Sequence, residues 1–482
     1  MGVSPSRELN LSDRQLQKIP ADIYKHANVQ KLYMRRNNIR HVSSEITLLE
    51  KLTELSLREN RLTSFPVYIL SLKSLTKLSL SFNELTEIPS EVGALKHLVL
   101  LTIAGNALTS LPEELGNLER LTSLDIQRNR FTQLPSCIGK MKNLTILSAH
   151  KNRINRLAPE IFVKLKKLIS LNLSYNLLDS LPETLVKLRE LEHLIISSNN
   201  FTSIPSPIFN LPNLINLDLH TNQITSIGME IQSLTQLKRL NLAINRLDTL
   251  PKEIGRLVAL EWLNLNDNQL VTLPDSIGNL KRLAKMGVVQ NKLTTLPPTF
   301  GQLRHLYKLD LRRNDIRQFP FTMIHMRKLE NLLIADNPLS EDFGTHPPNG
   351  AFPKLSEFAA RVLVSNSRRN KRKYFQLRRQ TRYLPSCLTG LLTQVYDCDL
   401  CGTALCGHWL NHVEQVSICE ERVSIPVLYR MCSHKCVENR QSCRMPARSS
   451  AYGIDDNPNL GGPILPLQRL IAMEMRKTLE RF

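Results

Sequence analysis

The chain has 482 residues, 42% hydrophobic and 22% charged, and carries 63 Lys and Arg against 43 Asp and Glu, a formal charge of +20. These proportions fit an ordinary folded protein and exclude a collagen, a mucin or a generally disordered chain. No stretch approaches the ~18 uninterrupted apolar residues of a membrane helix.

The N-terminal residues, Met1-Gly2-Val3-Ser4-Pro5-Ser6, lack the apolar core of a secretory signal, so a cytoplasmic or nuclear chain is expected. They also fit the M-G-x-x-x-[ST] pattern for myristoylation of Gly2. A membrane contact is expected only if Gly2 is acylated, because one acyl chain binds weakly without a second element.

Length alone suggests about three domains, but periodicity replaces that estimate. Asparagine recurs at 37, 60, 83, 106, 129 and 152, and again at 176, 199, 222, 245, 268, 291, 314 and 337. Every step is 23 residues except the 24 from Asn152 to Asn176, where Leu157-Ala158-Pro159 replaces the usual Leu-Pro. The unit reads L-x-x-L-x-L-x-x-N-x-L-x-x-L-P-x-x-I-x-x-L, complete in Leu75, Leu78, Leu80, Asn83, Leu85, Ile88, Pro89, Val92 and Leu95. A partial first unit at Leu9 and Leu11 carries Arg14 where Asn would stand, giving fifteen units over about residues 7 to 340.

These units resemble the leucine-rich repeat family in its 23-residue intracellular class. The resemblance implies an α/β solenoid, a horseshoe of about fifteen repeats. Physical chemistry agrees. The L-x-L pair alternates inward and outward as a short strand, and each leucine buries only against neighbouring units. A buried Asn can satisfy backbone groups of adjacent turns. Leu-Pro-x-x-Ile marks the exit from the turn, and 3₁₀ or short helical segments are expected on the convex side. Sequons at Asn10, Asn143, Asn172 and Asn200 read as by-products of a repeat rich in Asn, Leu and Ser.

In such a solenoid the outward strand residues lie six, four and two places before each Asn, with the preceding residue at the strand edge. No Ser/His/Asp, paired-carboxylate or phosphate-loop constellation occupies these positions, so recognition rather than catalysis is expected. Tyr33, Arg35, Arg36, Arg58 and Phe82 make the early units basic and aromatic. Arg128, Tyr175, His220, Arg239, Trp262 and Arg312 are the expected contact residues, since Trp, Tyr and Arg most often anchor protein interfaces. The repeats up to residue 340 hold 43 basic and 30 acidic residues, which favours an acidic protein partner. Nucleic acid is disfavoured, because no stacking aromatics interleave regularly with the arginines.

The repeats end at Asn337-Pro338-Leu339, and residues 341–385 form a Gly/Pro-rich loop, a helix and a basic linker. Leu355, Phe358, Ala359, Val362 and Leu363 share one helical face. That helix either caps the last repeat or serves as an elongin-binding segment. Leu355, Ala359 and Leu363 resemble a degenerate BC box, with Ala359 where Cys is usual and no cullin box following. Eight basic residues then lie between Arg368 and Arg382 with no acid among them. A solvated linker, a nuclear-localisation signal and an RNA or phospholipid contact all stay open for this run.

Eight of the nine cysteines lie between Cys387 and Cys443, and Cys137 stands apart. Such a local cluster reads as a thiol module in a reducing compartment rather than a disulfide framework. Within residues 386–445, Cys398-x-x-Cys401-Gly402 and Cys432-x-x-x-Cys436 are two pairs suited to one structural four-thiolate zinc, as in a small zinc-ribbon-like module. Reduced core cysteines are the alternative. Residues 413–429 between the pairs read as a hairpin with Glu420-Glu421-Arg422 as its turn. The segment Glu357-Phe358-Ala359-Ala360-Arg361, the paired Cys and the run 423–436 also resemble leucine-rich repeat-containing protein 58 and its relatives. That likeness implies Cys398, Cys401, Cys432 and Cys436 as ligands, with the first pair closer than in those relatives. The tail, 446–482, ends in a helix with Leu467, Leu470, Ile471 and Met475 on one face.

A non-enzymatic scaffold binding a protein on the concave face is therefore expected. Likeness to Ras-pathway scaffolds implies a small GTPase or phosphatase as partner. The alternatives are a cullin-RING substrate receptor holding elongin, and a nucleic-acid-associated protein using the basic run and zinc module.

Overall fold

The computed structural model describes residues 7–338, apart from 21, 24–27, 318, 321, 324, 325 and 327, together with four strands between 396 and 431. The chain divides into two compact units, Met1–Asn268 and Gln269–Phe482. No sequence signal marks that division, because every repeat has the same pattern and packs only on its neighbours.

The first unit holds one three-residue strand per repeat: β1 (Glu8–Asn10), β2 (Lys31–Tyr33), β3 (Glu54–Ser56), β4 (Lys77–Ser79), β5 (Leu100–Thr102) and β6 (Ser123–Asp125). Then follow β7 (Ile146–Ser148), β8 (Ser170–Asn172), β9 (His193–Ile195), β10 (Asn216–Asp218), β11 (Arg239–Asn241) and β12 (Trp262–Asn264). All neighbours pair in parallel and in chain order. Glu8 faces Lys31 and Lys31 faces Glu54, one repeat apart, and the 24-residue step is absorbed where Ile146 faces Ser170. From β2 onward the middle leucine of each strand is at most 1% exposed. Flanking residues point the other way, as the period of two requires.

Each asparagine bonds two repeats together. Asn83 Oδ1 accepts the Leu62 N–H at 3.0 Å, while its Nδ2 donates to the carbonyls of Leu57 and Leu80, each at 3.0 Å. Asn199 does the same for Leu178, Leu173 and Ile196. At the start, where Arg14 replaces the asparagine, Asn37 Oδ1 accepts from both Arg14 and Leu16. The expected role of the buried Asn is met in its geometry.

The residue before each ladder asparagine is left-handed. Its φ runs from 51° at Arg36 to 58° at Asp336, and only Gly105, at 63°, avoids the Cβ penalty. Its N–H donates to the next repeat, as in Tyr175 to Ser197 O at 2.9 Å and Arg128 to His150 O at 2.8 Å. Those bonds offset a conformation that costs about 1–2 kcal/mol in an L-residue. No sequence pattern beyond the lone glycine announced it.

Opposite the strands the crossovers are five-residue 3₁₀ segments, such as Ser90–Ala94 and Lys252–Arg256. Proline caps most of them, with φ near that of a helix start; Pro89 has φ −73° and Pro251 −69°. Successive segments stack closely, so a Cβ on Gly93 would lie 2.6 Å from the Glu114 carbonyl oxygen. Where Ala158-Pro159 or Gly228 alters the Leu-Pro step, an extra parallel bridge joins the preceding repeat, Gln133 to Arg156 and Ser203 to Ser226.

The second unit contains β13 (Lys285–Gly287), β14 (Lys308–Asp310) and β15 (Asn331–Leu333), parallel and in order. The ladder continues there, with Leu293 N–H on Asn314 Oδ1 at 3.1 Å. It also holds the antiparallel pairs β16 (Tyr396–Asp397) with β17 (Ala404–Leu405), and β18 (Leu410–Ser417) with β19 (Ser424–Met431). Ser417 faces Ser424, so Glu420, Glu421 and Arg422 fall between the strands of a hairpin, as their sequence suggests. The expectations for Gly2, for the helix of Leu355, Ala359 and Leu363, for the basic run, for Cys398, Cys401, Cys432 and Cys436, and for the terminal helix lie outside the described residues. Among the described residues no helix is long and apolar enough to cross a membrane.

Removing one rung should therefore destabilise the array. Asn199→Ala strands a buried N–H and two carbonyls, and should lower unfolding free energy by about 3 kcal/mol. Asn200→Ala, at an exposed neighbour, should change it by less than about 0.5 kcal/mol. Urea unfolding followed by circular dichroism measures both, and equal midpoints would refute the rung.

Candidate protein-binding face

The outward side chains of β2 to β12 form one face of the first unit. Strand register sets His193, Asn216, Arg239 and Trp262 side by side on β9 to β12. Neighbouring strands lie ~4.8 Å apart, so Trp262, half-buried, stands beside the exposed Arg239. Tyr175, at a left-handed edge position, is 51% exposed, and the Lys151 ammonium stands 5.1 Å from its ring centre. Ile146 and Ile244 add exposed apolar surface on this face. Their slots were legible but their exposure was not, since both residues would equally suit a core.

Toward the N-terminal end the face is cationic over a small-residue floor. A groove of about 520 Å³ is lined by Arg35, Arg36, Arg58 and Lys77 with one carboxylate, Glu54, beside Ser56, Ser79 and Thr102. Arg35 lies 4.7 Å from the Tyr33 ring centre and donates to Ser56 Oγ at 3.0 Å. The Phe82 ring takes Arg58 at 4.5 Å and Arg128 at 5.9 Å. It can lie where it does because the next edge position is Gly105, whose Cβ would meet Phe82 Cδ1 at 2.7 Å. A glycine just before a ladder Asn was the one sequence clue to this packing.

Two histidines on the face have opposite environments. His220 Nδ1 lies 2.7 Å from Asp218 Oδ1, and this bond holds its pKa above the ordinary value. His150 is shifted down, mainly by burial, with Lys151 and Arg128 adding like charge. Cys137, the solitary thiol, is fully buried, and burial pushes its pKa up to about 12, so it stays an inert core residue.

Five of the six expected contact residues thus lie in the first unit. Arg312 lies in the second, where it makes a forked pair with Asp310 at 2.7 and 2.9 Å. A guanidinium already matched to its own carboxylate is a weaker anchor than the exposed Arg128 or Arg239.

Comparison with known proteins agrees with this architecture. A leucine-rich repeat region model matches residues 78–171, a two-copy leucine-rich repeat model matches 50–93, and a third leucine rich repeat model matches 142–201, 189–247, 212–270 and 235–293. A leucine-rich repeat protein of Leptospira interrogans is 34% identical with a TM-score of 0.66, over 70% of this chain and 91% of that one. An internalin of Listeria monocytogenes shares the fold at 23% identity and TM-score 0.57, over 67% and 89%. The repeat-containing octameric complex of latrophilin 3, Unc5D and FLRT2 matches at 25% identity and TM-score 0.50, over 56% and 84%. No curated protein matches the chain.

The histidines give a test of the face's electrostatics. His220 should titrate above the ordinary ~6.5 and His150 below it. The raised value stabilises the fold at pH below the unfolded value and is lost as pH rises through the folded one. The depressed value of His150 works oppositely, weakening the fold as pH falls. Imidazole NMR shifts against pH, in the wild type and Asp218→Asn, measure both; a His220 value unmoved by the substitution would disprove the pairing.

Proposed function

Because the chain belongs to the leucine-rich repeat family, we propose that it is a non-enzymatic scaffold or adaptor that grips a protein partner on the outward strand face of its first unit. The observation that carries this reading is the row of anchor residues on β7 to β12. Tyr175 and Arg239 are exposed and Trp262 is half-buried, while the leucines at the middle of the strands are fully buried. Such a face can bury aromatic and guanidinium anchors, which supply most interface energy, without disturbing the core. The surplus of basic over acidic residues in the repeats favours a partner with an acidic surface. A small GTPase or phosphatase in intracellular signalling fits that description.

A second reading is a substrate receptor of a cullin-RING ubiquitin ligase, favoured by the helical spacing of Leu355, Ala359 and Leu363 directly after the repeats. Affinity capture from cell extract tests both. Trp262→Ala and Arg239→Ala should each weaken recovery of the main partner by roughly tenfold or more, and unchanged recovery would rule out this face. Elongin subunits lost selectively from Leu355→Pro would support the receptor reading, and no elongin in the wild type would remove it.

The cysteine pairs Cys398–Cys401 and Cys432–Cys436 are proposed to share one structural zinc. In sequence the first pair falls between β16 and β17, and Cys432 directly follows β19. Four thiolates would match the metal's tetrahedral preference and staple a module too small for a large core. Elemental analysis should find about one Zn per chain, largely lost in Cys398→Ser with Cys432→Ser. A purified wild type with no zinc would end the proposal.

A further inference from the structure

The N-terminal end of the face contains a feature that the general scaffold reading does not use. Phe82 packs against Gly105, and two guanidiniums stand near its ring centre, Arg58 at 4.5 Å and Arg128 at 5.9 Å. The two cations, which come from repeats three apart, are therefore within about 10 Å of each other, the sum of those distances. Stacking on a ring orients a guanidinium while leaving its N–H edges open. Arg128 makes no side-chain hydrogen bond among the described residues and is exposed. Arg35, stacked on Tyr33, adds a third cation, with Ser56 Oγ as its only side-chain acceptor among the described residues.

The carboxylates on these strands are already engaged. Glu54 pairs with Lys77 at 3.5 Å, and Asp125 accepts from Gln127 at 2.9 Å. Glu59 takes Arg58 at 2.9 Å and Arg36 at 3.1 Å, and the Arg58 bond holds it below the usual carboxylate range. Beside Arg35 and Arg58 the groove is lined by small hydroxylated residues, with Thr102 bonded to Ser79 at 2.8 Å.

We infer that Arg58, Phe82 and Arg128, with Arg35 beside them, form a clamp for an extended acidic peptide segment of a protein partner. The inference rests on the protein-binding reading above and names the chemistry recognised at one end of that face. Two or three residues of extended chain span ~7–10 Å, so carboxylates at that spacing can meet Arg58 and Arg128 together. Arg128 would replace water on an open guanidinium edge with a charge-assisted bond, and Arg58, whose Nε is given to Glu59, would use its remaining N–H groups. Phe82 is a positioning residue: it touches no carboxylate but fixes where both cations stand.

The test is fluorescence anisotropy on the full chain, with a labelled dodecapeptide of Glu-Ser-Glu-Gly repeats. It should bind saturably, and its Gln-for-Glu counterpart should bind at least about tenfold more weakly. Arg128→Gln should weaken the acidic peptide about tenfold and flatten its salt dependence, with the fold unchanged by circular dichroism. Phe82→Ala should cost a similar factor, and Phe82→Tyr should restore binding. Equal binding of the Glu and Gln peptides, no effect of Arg128→Gln, or tighter binding of an oligonucleotide of equal charge would each overturn the clamp. If the clamp fails while Trp262→Ala still loses the captured partner, the scaffold reading survives without it. Loss of neither would sink both.

Discussion

Everything in the repeat array depends on how the chain satisfies backbone groups at the point where each strand ends and turns. A three-residue strand followed by a sharp bend leaves N–H and C=O groups buried with no ladder partner, and each would cost free energy comparable to a lost hydrogen bond. One asparagine per repeat resolves this. Its carboxamide carries both acceptor and donors, so Asn83 serves Leu62, Leu57 and Leu80 at once. Neither Asp nor Ser has that combination in the same reach. The bonds cross from one repeat to the next, so the same interaction that terminates a strand also fixes the register of its neighbour.

With register fixed, the two sides of the strand are free to do different things. The inward leucines stack into a continuous core, and the outward positions carry none of the folding burden. A tryptophan at β12, an arginine at β11 and a histidine at β9 can therefore stand in one row at little cost to stability. The left-handed residue before each asparagine extends this freedom. Its backbone is held by the ladder and by the next repeat, so its side chain can be Arg128, Lys151 or Tyr175. The result is an open face whose chemistry varies while its spacing does not.

Charge on that face is less than the composition implies. Arg36, Arg58 and Lys77 are matched to carboxylates within or beside their own repeats. Exposed pairs of this kind contribute little to stability, but they reduce what is left to attract a partner. The cations that count are those held by rings, Arg35 and Arg128, together with Arg58, which gives its Nε to Glu59 and also stands over the Phe82 ring. An aromatic ring orients a guanidinium without neutralising it, which an Asp or Glu cannot do.

Periodicity made most of the fold legible in advance. The asparagine spacing, the parallel strands, the outward slots and the 3₁₀ crossovers follow from a pattern of apolar and polar residues that only one local geometry can bury. The hairpin around Glu420 and Glu421 was legible for the same reason, as two strand-like runs separated by charge. Sequence could also place Arg128, Tyr175, His220, Arg239 and Trp262 on one face, because slot and side follow from position in the unit. It could not say which of them are open and which are already bonded. Asp218 on His220, Asp310 on Arg312 and the Phe82 ring shared by Arg58 and Arg128 arise from side-chain rotamers and from contacts between residues two to forty-six positions apart. Position in a repeat is set by backbone hydrogen bonding and is the same in every unit. Partnering depends on what the neighbouring units happen to place within reach, and only the tertiary structure decides that.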